Sequence, residues 1–150
     1  MADFVFPAYN AAWLMFATEC AWLCARLRRD DCVPRLREML EPYAGQLVVT
    51  GFAASVTGSV ALYLGLLATT VGDWPLAESN FAAAVATHER TGAPMWLART
   101  RLEWARMLLA RAEPGDGERA HDLLRQALAT ARELGLTNIE RGAVELLGAQ

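Results

Sequence analysis

The sequence predicts an all-α protein, an α-solenoid of about three helical hairpins followed by a C-terminal helix. Apolar residues recur at intervals of three and four along most of the chain, which is the spacing of helices with a buried face. Glycine, proline and aspartate separate these segments, and such residues end one helix and begin the next. A hydrophobic content of 54% over 150 residues is enough to fill the core of a single domain.

This periodicity predicts helices over about 8–29, 33–44, 54–71, 75–91, 94–112, 117–134 and 138–148. We expect one domain over 1–150, with a first hairpin in 1–44, a second in 54–91, a third in 94–134 and a capping helix in 138–148. Residues 46–52 are rich in strand-forming types, but we find no second strand to pair with them. We therefore expect an ordered connection there.

The first expected helix is apolar on more than one face. Pro7 and Glu19 interrupt the apolar run and no basic stretch precedes it, so we expect neither a membrane span nor a signal peptide. A helix of this kind packs against neighbours on two sides. We expect it to be covered by upstream repeats of a larger protein or by a second copy of the chain.

The second hairpin carries the most specific pattern. Gly65 costs a helix interior about 1 kcal/mol against alanine, so we expect it to admit a neighbouring helix at close range. Gly72 suits the left-handed geometry that ends a helix, and Asp73 suits the cap of the next one. Ala77 and Phe81 then share one face of the second helix, where they pack against its partner.

The third hairpin and the capping helix follow the same plan with looser spacing. Trp104 precedes a longer turn at 112–117, and Leu124 lies on the apolar face of the helix that follows. Gly135 ends that helix, and Thr137 is the expected N-cap of the last one.

The combination of Leu64-Gly65, Gly72-Asp73, Ala77 and Phe81 resembles a tetratricopeptide repeat, so the predicted solenoid is tetratricopeptide-like. Longer phrases resemble the C-terminal helical-repeat region of large actinobacterial-type regulators with a STAND-class ATPase core. These phrases lie at 43–45, 63–68, 96–101, 108–111, 114–120 and 129–136. Such regulators often carry a LuxR-type DNA-binding domain or a nucleotide-cyclase domain. The chain departs from the pattern at Ala112, where glycine is usual, and at Trp74-Pro75, where the helix start is usually more polar.

The resemblance implies an accessory docking or sensing module of a bacterial regulator, since this chain has no phosphate-binding loop. A net charge of −3 gives no overall attraction for nucleic acid. The one arginine-rich segment, 26–37, is interleaved with acidic residues, so we expect no direct nucleic-acid contact.

The titratable and thiol side chains form no recognisable catalytic or metal motif. His88 and His121 are far apart, and we expect His88 to be a cation favoured by a helix C-terminus and His121 to lie in solvent. The cysteines, at 20, 24 and 32, are odd in number, which indicates a reducing cytoplasm rather than a disulfide scaffold. A structural zinc site needs four ligands, which these side chains do not supply, so we expect no metal and no cofactor. The potential catalytic groups do not converge on a recognisable site, so we expect no enzymatic activity. Cys24 occupies the place equivalent to Gly65 and is an expected core residue.

In tetratricopeptide hairpins the first helix of each pair lines the concave side. The residues that we expect there, free of the core, are Trp22, Ala25, Arg29, Tyr63, Leu66, Thr70, Arg99, Glu103 and Arg106. Arg99 and Arg106 lie two turns apart with Glu103 between them. They either hold a peptide carboxylate or form an ion-pair ladder with Glu103 within one helix.

The sequence thus predicts a non-catalytic, cytoplasmic interaction module, the protein-docking or self-assembly part of a nucleotide-dependent transcriptional or signalling regulator. Its expected partners are a protein or peptide, the upstream repeats, or a second copy bound through the N-terminal helix. The alternative is a small-molecule sensor with a cavity formed by Trp13, Trp22, Tyr63 and Trp96. An open groove favours docking, and an enclosed pocket favours sensing.

Overall fold

The computed structural model describes residues 12–50 and 55–149, and helices dominate both ranges. The helices are α1 (Trp13–Arg26), α2 (Val33–Leu40), α3 (Val60–Thr70), α4 (Trp74–Arg90), α5 (Pro94–Arg111), α6 (Asp116–Leu134) and α7 (Thr137–Gly148). The strands are β1 (Leu47–Thr50) and β2 (Ser55–Ser59), and 3-10 turns lie at Asp30–Cys32 and Glu41–Tyr43. The predicted all-α class is confirmed. The start of the first expected helix, 8–11, lies outside the described residues.

A small antiparallel ribbon lies between α2 and α3, where the sequence predicted a connection followed by a helix. β1 pairs with β2, with Leu47 opposite Ser59 and Val49 opposite Val56. The prediction that 46–52 has no partner strand was therefore wrong. Residues 55–59 supply that strand, although we assigned them to the next helix.

Side chains from the helices hold β2 in its extended form. The indole N–H of Trp96 donates to the carbonyl oxygen of Val56 at 2.9 Å, and the hydroxyl of Tyr63 donates to the carbonyl oxygen of Thr57. Ser59 then caps α3, since its hydroxyl accepts a hydrogen bond from the first turn of that helix. The ribbon thus depends on partners outside its own segment.

The helices contact one another in the order expected of stacked hairpins. α1 packs on α2 and α3, α3 packs on α4 and α5, and α5 packs on α6 and α7. α2 also contacts α3, α4 contacts α5, and α6 contacts α7, so each pair rests on the next along the chain. Every residue of the central helix from 60 to 68 is buried.

The predicted close approach at Gly65 is confirmed. A methyl group added at Gly65 would lie 3.0 Å from the ring of Phe81, which is completely buried together with Ala77. Gly72 takes a φ of +73°, and the Asp73 carboxylate accepts a hydrogen bond from the first turn of α4. Both roles are those that the sequence predicts.

An ion-pair network joins the ends of α4, α5 and α6. Arg111 donates to both carboxylate oxygens of Asp116, at 2.6 and 2.8 Å, and to Glu78 at 2.7 Å. Arg119 also pairs with Glu78. The Arg111 guanidinium lowers the pKa of Asp116 to about 2, so this buried carboxyl is ionised. The longer turn at 112–117 is therefore fixed by charge as well as by its backbone.

The start of α7 differs from the prediction. Thr137 is the first residue of the helix, and Leu136 takes the N-cap position without a side-chain hydrogen bond. No helix in the described part of the chain is both long and apolar enough to cross a bilayer.

Candidate functional site

A groove runs between α1, α3 and α5, the first helices of the three hairpins. It has a volume of about 540 Å³ and is partly open to solvent. Its lining residues are Trp22, Ala25, Arg26, Arg28, Leu66, Thr69, Thr70, Gly72, Trp74, Glu103, Arg106 and Ala110. The groove therefore spans three consecutive hairpins.

A smaller cavity of about 200 Å³ adjoins the groove and shares Trp22, Leu66 and Glu103 with it. The other residues that line this cavity are Glu19, Leu62, Tyr63, Trp96 and Arg99. The side chains of Tyr63 and Trp96 also hold β2, so the ribbon forms part of the support for this end of the groove.

The carboxylate of Glu103 lies where the two cavities meet and is only 5% exposed. Its Oε1 accepts hydrogen bonds from Arg26 at 2.8 Å and from Arg106 at 2.9 Å. The Nε atom of Arg99 lies 3.6 Å from the same oxygen. The ladder that the sequence left open within α5 is thus present, and an arginine from α1 joins it. This contact links the first hairpin to the third.

The indole of Trp22 is close to two of these arginines. The guanidinium carbon of Arg26 is 5.2 Å from its ring centroid, and that of Arg99 is 5.9 Å away. These are cation–π distances, and they hold both arginines at the groove wall. The indole N–H of Trp22 has no acceptor among the described residues.

The structure brings all but one of the predicted concave-face residues to these two cavities. Those that line one or both are Trp22, Ala25, Tyr63, Leu66, Thr70, Arg99, Glu103 and Arg106. Tyr63, Leu66 and Glu103 are nevertheless buried, because neighbouring helices pack around them, so the expectation that they are free of the core was wrong. Arg29 lines neither and pairs instead with Asp31 at 2.8 Å. The reason is that α1 ends at Arg26, so Arg29 leaves the helix face on which we placed it.

The sequence prediction missed several wall residues, of which Arg26 and Arg28 carry charge. Arg26 could have been found, because it lies one helical turn after Trp22 and so shares its face. We instead counted both arginines in the segment 26–37 and expected them to be compensated by acidic neighbours. That compensation holds for Arg35 and Arg37, which pair with glutamates.

His88 is a buried neutral residue, so the prediction of a cation at this helix end was wrong. Its Nε2 accepts a hydrogen bond from the backbone N–H of Ser59 at 2.9 Å. Its Nδ1 lies 3.1 Å from the hydroxyl of Thr100 and donates to it, since Nε2 is the acceptor. Burial lowers the pKa of His88 to about 4. His121 is exposed, as expected.

The cysteines are free thiols and belong to no site. Cys24 is buried, as predicted, and its thiol donates to the carbonyl oxygen of Arg29 at 2.8 Å. Burial raises the pKa of this thiol, which keeps it protonated. Within residues 12–50 and 55–149, no group of three or more histidine, cysteine or carboxylate side chains is placed to hold a metal ion.

Comparison of the chain with protein-family models, with curated proteins and with solved structures gives no match. The resemblance to repeat regions of ATPase regulators therefore stays a prediction.

Proposed function

We propose that this chain is a non-catalytic interaction module that binds a segment of a partner protein in the groove between α1, α3 and α5. The observation that carries the proposal is the groove itself, about 540 Å³ in volume and partly open. A small molecule is usually enclosed over most of its surface, whereas a peptide typically binds along an open groove. Three hairpins contribute to the walls, which suits an extended ligand.

The resemblance is our reason to propose that this docking activity belongs to a larger protein. We propose that the module belongs to a nucleotide-dependent transcriptional or signalling regulator of a bacterium and acts in the cytoplasm. The repeat-like phrases and the stacked order of the helices support this proposal. ATP hydrolysis and DNA binding would then be performed by other domains.

A sensor of small molecules is the second candidate, and the adjoining cavity is the observation in its favour. Trp22, Tyr63 and Trp96 line that cavity, as this hypothesis requires. Trp13, the fourth expected residue, lies against Tyr43 instead, with ring centroids 5.1 Å apart. The cavity volume of about 200 Å³ is below the range of about 300–1,000 Å³ that is usual for ligand pockets. The larger groove lies within that range but is partly open, so docking is the better supported function.

The outer face of α1 supports the proposal that the chain also associates with itself. Phe16, Leu23 and Leu27 are 53%, 49% and 68% exposed and form one stripe together with the exposed thiol of Cys20. Two such stripes would cover each other in a symmetric pair, because a twofold axis brings the same surface of both copies together. This contact would leave the groove on the opposite side of α1 free.

The docking proposal is tested by selecting random peptides of about a dozen residues against the intact chain and measuring the affinity of those that bind. Ala110 is an exposed wall residue, so Ala110→Trp should fill that end of the groove and lower the affinity about tenfold or more. Ala129→Trp, at an exposed position of α6 outside the groove, is the matched control and should leave the affinity unchanged. Equal affinities for the two variants would contradict the proposal.

A further inference from the structure

The charge around the groove is opposite in sign to the charge of the whole chain. Among the described residues, four arginines line the two cavities, at positions 26, 28, 99 and 106, and the only acidic residues that line them are Glu19 and Glu103. The walls thus carry a net charge of +2, whereas the chain carries −3. Concave walls concentrate such a field, so the groove attracts anions although the protein as a whole does not.

Elsewhere in the described chain, most arginines pair with at least one carboxylate, although Arg90, Arg125 and Arg141 do not. Arg35 pairs with Glu38, Arg101 with Glu89, and Arg132 with Glu140. In the groove, one oxygen of one carboxylate serves three arginines. One negative charge cannot neutralise three positive ones, and these guanidinium groups retain donors that Glu103 does not use. Their excess charge is therefore available to a ligand.

Three of these arginines, Arg26, Arg99 and Arg106, are held in place before a ligand arrives. Glu103 and Trp22 hold Arg26 and Arg99, while Arg106 is held by Glu103 from the preceding turn of α5. Arg28 stands at the exposed edge of the groove and makes no ion pair within the described residues. Arginines whose side chains are already ordered lose less entropy when they bind a carboxylate in a bidentate manner.

We infer that the groove selects acidic peptide segments, whose carboxylates bind Arg26, Arg28 and Arg106 while neighbouring apolar side chains pack on Leu66 and Trp74. This inference rests on the proposed docking function and specifies the class of its ligand. The mixed character of the wall favours a peptide over a nucleic acid. Leu66 and Trp74 provide apolar contacts between the charges, and the net negative chain repels a long polyanion.

The same peptide selection tests this inference separately from the docking proposal. We expect the selected peptides to be enriched in aspartate and glutamate, and their affinity to fall as the salt concentration rises. Peptides without acidic enrichment would overturn the inference and leave the docking proposal intact. If no peptide binds, the docking proposal fails and the inference fails with it. A single-stranded oligonucleotide that binds as tightly as the best peptide would also overturn it.

Two substitutions identify the charges that are responsible. Arg28→Gln should weaken binding of the selected acidic peptides about threefold to tenfold and reduce the dependence on salt, because it removes an exposed groove charge. Arg125→Gln removes the same charge from an exposed position of α6 outside the groove, and it should change the affinity by less than about twofold. Equal effects of the two variants would show that only net charge matters and would overturn the inference.

Glu103→Gln gives a test with the opposite sign. It removes a negative charge from the wall, while the glutamine oxygen can still accept the hydrogen bonds from Arg26 and Arg106 that keep these arginines in place. The variant should therefore bind acidic peptides several-fold more tightly. Weaker binding by a folded Glu103→Gln protein would contradict the inference. If this variant does not fold, because the link between Arg26 and Glu103 is lost, the comparison of the Arg28 and Arg125 variants still decides the question.

Discussion

At the scale of single residues, His88 joins three elements through its two ring nitrogens. The side chain extends from α4, accepts the N–H of Ser59 where β2 meets α3, and donates to Thr100 on α5. The hydroxyl of Thr100 in turn donates a hydrogen bond to the carbonyl oxygen of Trp96, the residue whose side chain holds β2. Only a neutral imidazole can accept at Nε2 and donate at Nδ1, so this arrangement requires the uncharged form.

We expect the stability of the protein to fall by about 2 kcal/mol as the pH is lowered from about 6.5 to 5. The unfolded chain binds a proton at His88 near its ordinary pKa of about 6.5, whereas burial lowers the pKa in the folded chain to about 4. The loss therefore begins below about pH 6.5 and ends near pH 4. Urea denaturation at a series of pH values measures it.

The two histidines provide the control for this measurement. His121→Gln should retain the pH dependence, because His121 is exposed on α6. His88→Gln should be less stable at neutral pH and should lose most of the slope between about pH 6.5 and 5. A slope that is unchanged in His88→Gln would assign the pH dependence to other groups.

Six of the twelve groove residues could be predicted from sequence, because helical periodicity determines which side chains share a face. Trp22, Leu66 and Arg106 were placed correctly on that basis. The misplacement of Arg29 followed from a helix end, which is a weaker signal than periodicity. The neutral state of His88 could not be predicted, since it depends on Ser59 and Thr100, which neighbour it only in the folded chain.

At the scale of elements, α5 ends at an alanine in an unfavourable conformation. Ala112 takes a φ of +56°, in the left-handed region where a Cβ atom is crowded. Glycine is usual at this position in the repeat pattern that the sequence resembles. We expect Ala112→Gly to raise the free energy of unfolding by about 0.5–1 kcal/mol, as measured by chemical denaturation.

The matched control for that substitution is Ala129→Gly. Ala129 is also exposed, but it lies in the interior of α6, where glycine costs about 1 kcal/mol relative to alanine. The two variants should therefore change stability in opposite directions. Destabilisation by both would show that the turn after α5 tolerates its alanine without strain.

From α2 onward the helix ends were predicted to within about four residues, except the start of α3, which lies at residue 60 rather than 54. The ribbon was not predicted. The buried face of a helix is visible in the spacing of its own residues, as it is for Ala77, Phe81 and Ala84 in α4. β2 is specified from outside, by Trp96 on α5 and Tyr63 on α3. A run of five residues also contains too few side chains for its period to be read reliably.

At the scale of the whole molecule, the apolar stripe on α1 predicts self-association. Phe16→Glu combined with Leu23→Glu places charges on the stripe, so we expect the double variant to stay monomeric at concentrations at which the unchanged chain associates. Sedimentation velocity over a range of concentrations measures this difference. Both positions are exposed, so the fold should be retained.

Val144→Glu provides the control for this experiment. Val144 is 46% exposed on α7, at the other end of the stack. This variant should associate as the unchanged chain does. A chain that is monomeric throughout the concentration range, without any substitution, would contradict the proposed pairing through α1.

The link between Arg26 and Glu103 has a mechanical consequence. It crosses from the first hairpin to the third, so the width of the groove depends on how the three hairpins stack on one another. An occupant that pulled the two walls together would bend the array, and one that wedged them apart would straighten it. Any domain attached to either terminus would then be displaced, so occupancy would be transmitted as movement without a change in the fold of any hairpin.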